Sequence, residues 1–171
     1  SFADEFKLGT YEVLKTLPLT SRNIVTGKFL GSFFVATIAL LPTLIYIVSI
    51  QQLAVGSGLD FGATIGAYIG LFFLAAVFSA IGICASSFTN NAVVAFIISL
   101  IACALLYYGF NAISKLPFLS GGLDYYIEMA GIDFHYSSIS KGVVDTRDII
   151  YFTSVLLLML FITERNLSKK I

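Results

Sequence analysis

The sequence is short of charge. Lys, Arg, Asp and Glu make up 12% of its 171 residues, about half of the ~25% usual in a soluble domain. That shortage points to lipid as the solvent for much of the chain. The residues that build metal and redox centres are scarce as well. The two cysteines, Cys84 and Cys103, sit in apolar runs far from the single histidine, His135. Such spacing fits no zinc pattern and reads as two small buried hydrophobes, so no metal site and no cofactor are expected. Net charge is zero, which by itself says nothing about nucleic acid, and no nucleic-acid partner is expected. The chain opens at Ser1 with no signal-peptide pattern, and it is expected to begin inside a longer protein.

What is present in quantity is long apolar sequence, with 58% hydrophobic residues and a mean hydropathy of +0.94. About 20 apolar residues cross ~30 Å of hydrocarbon as a helix. Residues 29–50, 62–88, 91–113 and 148–164 qualify or nearly do. The expected fold is therefore all-α: a single polytopic membrane bundle with four transmembrane helices. Ser86–Asn91, reading SSFTNN, is short enough to make the second and third spans a hairpin. Residues 51–61, with Gly56, Ser57 and Gly58 as turn formers, read as a short outer loop. Pro42 is expected to kink the first span, and Thr146 to cap the fourth.

Orientation follows the distribution of Lys and Arg. Lys7, Lys15, Arg22, Lys28, Arg165, Lys169 and Lys170 fall on one face, and Lys115, Lys141 and Arg147 on the other. The first face, with net +3 against −3 once acids are counted, is expected to be cytoplasmic, with both ends of this chain inside. The outer segment, 114–147, carries two short helical patterns, DYYIEMAG and DFHYSSISKG. Gly131 and Gly142 are placed to stop them and Asp133 to cap the second. Both helices are expected to lie in the outer interface, anchored by Tyr125, Tyr126, Phe134 and Tyr136.

None of the four apolar cores, the fourth being residues 149–163 between Asp148 and Glu164, contains Asp, Glu, Lys, Arg or His. Ion-coupled carriers, intramembrane proteases and redox enzymes place ionisable groups or metal ligands at that depth, so no catalytic residue is expected and no internal source of energy. Small residues are plentiful instead. Gly62, Gly66 and Gly70 form two overlapping G-x-x-x-G units, and Gly27 and Gly31 repeat the spacing at the mouth of the first span. All five are candidates for close helix packing.

The first 28 residues stand apart. Their Gly27-Lys28 pair is not a phosphate loop, because Arg22 occupies the position of the leading Gly and Phe29 that of the Ser or Thr. They read as an amphipathic elbow. Ser1 and Asp4 form a capping box. Phe2, Phe6, Val13 and Leu17, with Leu14 beside them, make an apolar stripe. Gly9-Thr10 breaks the first helix and Pro18 ends it, and Thr20 or Ser21 caps the helix that follows. On these grounds alone the elbow is equally a simple interfacial anchor.

The stretch DEFKLGTYEVLKTLPLTSRNIVTGK resembles the cytoplasmic coupling segment of ABC-2 transport permeases, with Asp4, Glu5, Lys7, Gly9, Thr10, Glu12, Pro18, Gly27 and Lys28 on the pattern. Three further stretches, YIGLFFLAAVFSAIGICASSFTNN, DYYIEMAGIDFHYSSISKGVVDTRDIIYF and FITERNLSKK, resemble gliding-motility-associated permeases of Bacteroidetes-type bacteria. The resemblance implies the membrane subunit of an ATP-driven exporter in a bacterial inner membrane. Its implied partners are a separate cytoplasmic ATPase, a second permease subunit in a homo- or heterodimer, membrane lipids and an extracytoplasmic-domain protein. It also implies that two spans preceding residue 1 belong to the full protein. Glu5, Lys7 and Glu12 would make polar contacts with the ATPase, Gly9 and Pro18 would shape the elbow, Thr10 would hydrogen-bond locally, and Lys28 would close the motif. The competing reading is a non-transporting membrane scaffold that recruits a cytoplasmic partner through the same elbow.

Overall fold

The computed structural model describes residues 1–16, 18–53, 60–116 and 122–169, and among them every regular element is a helix. Two short helices, α1 (Phe2–Leu8) and α2 (Thr10–Thr16), precede α3 (Ser21–Leu40). A 3-10 turn at Leu41–Thr43 carries Pro42 and leads into α4 (Leu44–Leu53). There follow α5 (Phe61–Phe88) and α6 (Ala92–Ala104), which runs through a π-helical turn at Leu105–Gly109 into α7 (Phe110–Ser114). The outer segment supplies α8 (Leu123–Met129) and α9 (Ile132–Ser140), and α10 (Thr146–Ser168) closes the chain. The expected 51–61 loop lies largely outside the described residues, as do Leu17 of the apolar stripe and Lys170.

Among the described residues four rods are long and apolar enough to cross a membrane: Ser21–Leu53, Phe61–Phe88, Ala92–Ser114 and Thr146–Ser168. The structure is an all-α polytopic membrane bundle. Each rod starts on a side-chain cap that satisfies otherwise orphaned backbone donors. Thr20 accepts from Asn23 N at 3.3 Å, Asp60 from Gly62 N at 2.9 Å, Asn91 from Val93 N at 2.9 Å and Asp145 from Arg147 N at 3.0 Å. The last of these corrects the expected cap of the fourth span. Asp145 holds the extended backbone of a cap, and Thr146 is already the first helical residue. A second correction concerns α9. Its cap position is Gly131, in extended backbone, and Asp133 inside the first turn instead accepts a bond from Asn111 Nδ2 at 3.1 Å. Gly131 therefore opens α9, and α8 stops one residue earlier at Ala130.

α5 is the axis of the bundle, packed against α10, α6, α9, α3 and α1. Two faces of this helix are buried. Ala76, Ala80 and Ile83 join a cluster with Phe2, Tyr11, Ile24, Val25, Phe29 and Leu167. Val77 and Ile81 join another with Ile132, Ile139 and Phe152. The rods Ser21–Leu53 and Ala92–Ser114, in contrast, present long apolar surfaces, with Val35 at 69% and Phe96 at 65% exposure. Water would not tolerate such contiguous surface on a monomer, whereas lipid does. At one end of the bundle Asn166 Nδ2 donates to the carbonyl and hydroxyl oxygens of Ser87, at 2.8 and 3.0 Å, joining the last turns of α10 and α5.

Candidate functional site

The elbow is the part of the chain in which charge, apolar surface and sharp backbone geometry come together. Its first helix starts on the Ser1–Asp4 capping box, with the Ser1 hydroxyl donating to Asp4 Oδ2 at 2.8 Å. That bond holds the exposed Asp4 carboxyl below the usual carboxylate range. Gly9 ends α1 with φ +71°, a left-handed backbone that a side chain resists. α2 begins on the next residue, and Glu12 N donates back to Gly9 O at 3.3 Å. One glycine thus turns the chain between two seven-residue helices that are too short to persist in water without packing.

That packing comes from an aromatic knot. Phe2 is fully buried, with its ring 6.1 Å from Phe6 and 6.4 Å from Tyr11, while Phe6 meets Tyr11 edge-on at 4.8 Å. Burial pushes the Tyr11 phenol above its ordinary value, and the nearby Glu5 charge adds to the shift. The knot seats α1 and α2 against α3, α5 and Leu167 of α10. Lys28 of α3 reaches across, with its ammonium 4.8 Å above the Phe2 ring and ion-paired to Glu5. A cation held over an aromatic face and against a carboxylate fixes the elbow to the spanning helix by two different forces. A gap of about 430 Å³ remains between elbow and spans, lined by Ser1, Lys28, Ser32, Ser79 and Ser86 among others.

The structure therefore separates the coupling candidates into two groups. Glu5 and Lys28 face each other inside the elbow–bundle joint. Lys7, Thr10, Glu12 and Pro18 are exposed, together with Leu8 at 72% and Val13 at 65%. The apolar stripe is corrected accordingly. Val13 points away from the bundle and Tyr11 takes the inward place, because the left-handed Gly9 rotates α2 relative to α1 and no single helical wheel covers both.

The packing glycines also separate. A side-chain carbon added at Gly66 would lie 2.3 Å from Ile139 O and 2.8 Å from the Gly142 backbone, and one at Gly70 would lie 3.0 Å from the Tyr136 ring. Gly62 approaches Gly142, whose φ is +85°. Helix α9 is thus seated on the glycine face of α5. Tyr136, expected as an interfacial anchor, packs inward there. Gly27 and Gly31 meet nothing within 4 Å among the described residues.

The outer end holds a second polar centre that the sequence reading passed over. His135 and Asp148 are both buried, with Nδ1 2.6 Å from Oδ1, and His135 Nε2 lies 2.9 Å from Met129 O. The imidazole thus bridges the Asp148 carboxyl group on α10 and a backbone carbonyl at the end of α8. Tyr151 stacks on the imidazole at 4.0 Å and donates to Ala130 O at 2.7 Å. The only signal in the sequence was an acid in the first turn of an apolar helix. Among the described residues no group of three or more His, Cys, Asp or Glu is arranged to hold a metal, and both cysteines are free.

A family model described as ABC-2 family transporter protein matches residues 1–121, covering the elbow and the first three rods. No curated protein and no solved structure matches the chain.

Proposed function

The chain belongs to the ABC-2 transporter family, and from that premise we propose that it is the membrane-spanning permease subunit of an ATP-driven exporter, worked through its elbow by a separate cytoplasmic ATPase. The observation that carries this reading is the two-sidedness of α1–α2. Phe2 is buried among three spanning helices, while Lys7, Thr10, Glu12, Leu8 and Val13 form an outward face that mixes charge with apolar surface. A lever needs both: a rigid root in the bundle and a free face for the partner.

The route of a push follows from the contacts. A displacement of the elbow enters α5 at Ala76, Ala80 and Ile83, α3 at Ile24 and Val25, and α10 at Leu167. Gly66 lies 14 residues up α5 from Ala80, about 21 Å at 1.5 Å per residue. There the same helix carries α9. Because close-packed helices shift as bodies and do not deform smoothly, tilting α5 at one end moves the α8–α9 pair at the other. With no ionisable group in the apolar cores, the work enters from the ATPase. The link to gliding motility rests on the resemblance of the sequence stretches quoted above. Placement in a bacterial inner membrane rests on the same resemblance, and the cytoplasmic placement of both chain ends on the Lys and Arg asymmetry.

The test is ATPase turnover in the reconstituted permease–ATPase complex. Glu12→Lys, on the free face, is expected to lower turnover severalfold without loss of assembly of the bundle. An ATPase that binds yet keeps its full rate with Glu12→Lys and Lys7→Glu would favour the scaffold reading. Orientation is tested separately, with Cys84 and Cys103 replaced by Ala. Lys115→Cys is expected to react with an impermeant maleimide in intact cells and Lys7→Cys only after lysis, and the reverse pattern would overturn the lever's placement.

A further inference from the structure

Beside the His135–Asp148 pair lies an open groove of about 450 Å³ between α8, α9 and the first two turns of α10. Its walls are apolar and aromatic: Tyr126 and Met129 on one side, Ile150 and Tyr151 on the other. Its floor is the buried edge of His135. The groove is held in shape by bonds already described: Tyr151 to Ala130 O, and His135 to both Met129 O and Asp148. At its rim stands Arg147, exposed. The acids nearest it in sequence are engaged elsewhere. Asp145 caps α10 through the Arg147 backbone N–H, and Asp148 binds His135. Among the described residues no carboxylate lies within ion-pair distance of the Arg147 guanidinium.

Position supplies the rest. α10 is one of the four span-length rods, and the groove opens on its first turns, where Ile150 is 67% exposed to the surroundings of the rod. That is the depth at which a bilayer passes from acyl chain to headgroup, and at which Tyr side chains gather. A planar guanidinium matches a phosphate in two-point contact, and the apolar walls continue from it toward the hydrocarbon.

We propose that this groove is a seat for one phospholipid, its phosphate on Arg147 and its glycerol and first methylenes along Ile150, Tyr151 and Met129. The seat depends on α10 spanning the bilayer, not on how the bundle is driven, so it stands or falls apart from the ATPase reading. Occupied, it would tie α8 and α10 together at the headgroup layer and make the set of the outer helices responsive to the lipid around them.

The intact permease in a non-ionic detergent, carrying Tyr126→Trp, provides the assay. This chain has no tryptophan of its own, and the signal is read as the difference from the unsubstituted protein. Titration with dioctanoylphosphatidylglycerol below its micelle concentration is expected to give a saturable emission shift. Arg147→Gln should raise the apparent Kd about ten- to a hundredfold, the loss of a charge-assisted bond. Lys141→Gln, another exposed cation on the same segment, should leave it unchanged. Dioctanoylglycerol, which lacks the phosphate, should bind as weakly to the parent as the phospholipid does to Arg147→Gln. The proposal is overturned if Arg147→Gln binds as the parent does or if dioctanoylglycerol equals the phospholipid. An equal loss with Lys141→Gln overturns it too, since that would make the attraction a diffuse field. Binding of inorganic phosphate at similar concentrations, in place of the lipid, would identify a free anion as the ligand and reject the lipid seat.

Discussion

Gly66→Ala is expected to detach α9 from α5 and to cost about 3 kcal/mol or more, the upper range for overpacking a close contact. The new methyl would stand 2.3 Å from Ile139 O and 2.8 Å from Gly142 Cα, and both are backbone atoms. A side chain in the way can swing to another rotamer, but a carbonyl at the end of α9 yields only if the helix lifts. Lifting it exposes Ile132 and Ile139, which are fully buried now. Thermal unfolding of the purified protein in detergent micelles measures the loss. The same substitution at Gly27, Gly31 and Gly82 meets nothing within 4 Å among the described residues. Those three variants should stay within about 0.5 kcal/mol of the parent, or gain slightly from the better helix propensity of Ala. If Gly66→Ala behaves like them, α9 does not sit on α5 as described and the route from elbow to outer helices is lost.

These glycines also mark where the sequence stops being informative. The five share one spacing, and spacing states only that a helix face is smooth. Whether another backbone lies against it depends on where α9 returns, some 70 residues later in the chain, and nothing local encodes that. Features whose causes are local were legible. The four rods follow from apolar length, the break between α1 and α2 from Gly9, the end of α2 from Pro18, and the two outer helices from their short periodic patterns. Adjacent alternatives were not separable: Asp145 and Thr146 are both good caps, and the backbone chose the first. Tyr11 was missed because one left-handed residue resets the helical phase between α1 and α2. The sequence sets the histidine far from either cysteine, and its partner is an acid on another helix. The apolar cores themselves carry no ionisable group. What composition does not reveal is that an acid just outside such a core, Asp148, folds back under a neighbouring helix to meet the one imidazole in the chain.

That acid carries the second large effect. Asp148→Ala is expected to cost about 3 kcal/mol, because it leaves the buried Nδ1 of His135 without its partner and opens a cavity beside it. His135 is 3% exposed, so water cannot replace the carboxylate without opening the α9–α10 joint. The double variant His135→Leu with Asp148→Leu removes both polar groups and should be less destabilising than Asp148→Ala alone, since well-packed apolar replacements of a buried pair are often close to neutral. Its residual cost is the Met129 carbonyl, which loses its donor. Unfolding of the double variant, of His135→Leu and Asp148→Leu singly, and of the parent gives the coupling, and additive losses would mean that the two side chains do not interact. Position predicts a second signature. The pair ties α9 to α10, whereas the elbow is held at the far end of the bundle by Phe2, Tyr11 and Leu167. Limited proteolysis of Asp148→Ala should therefore open the segment around Lys141 and Arg147 first and leave Lys7 at its parental rate. A variant that loosens at Lys7 as readily as at Lys141 would show that the two ends unfold together, and would overturn this prediction. Selective loosening at Lys141 would show that the α9–α10 joint opens while the root of the elbow stays packed, which leaves the contact of α9 with α5 as the route for the lever's stroke.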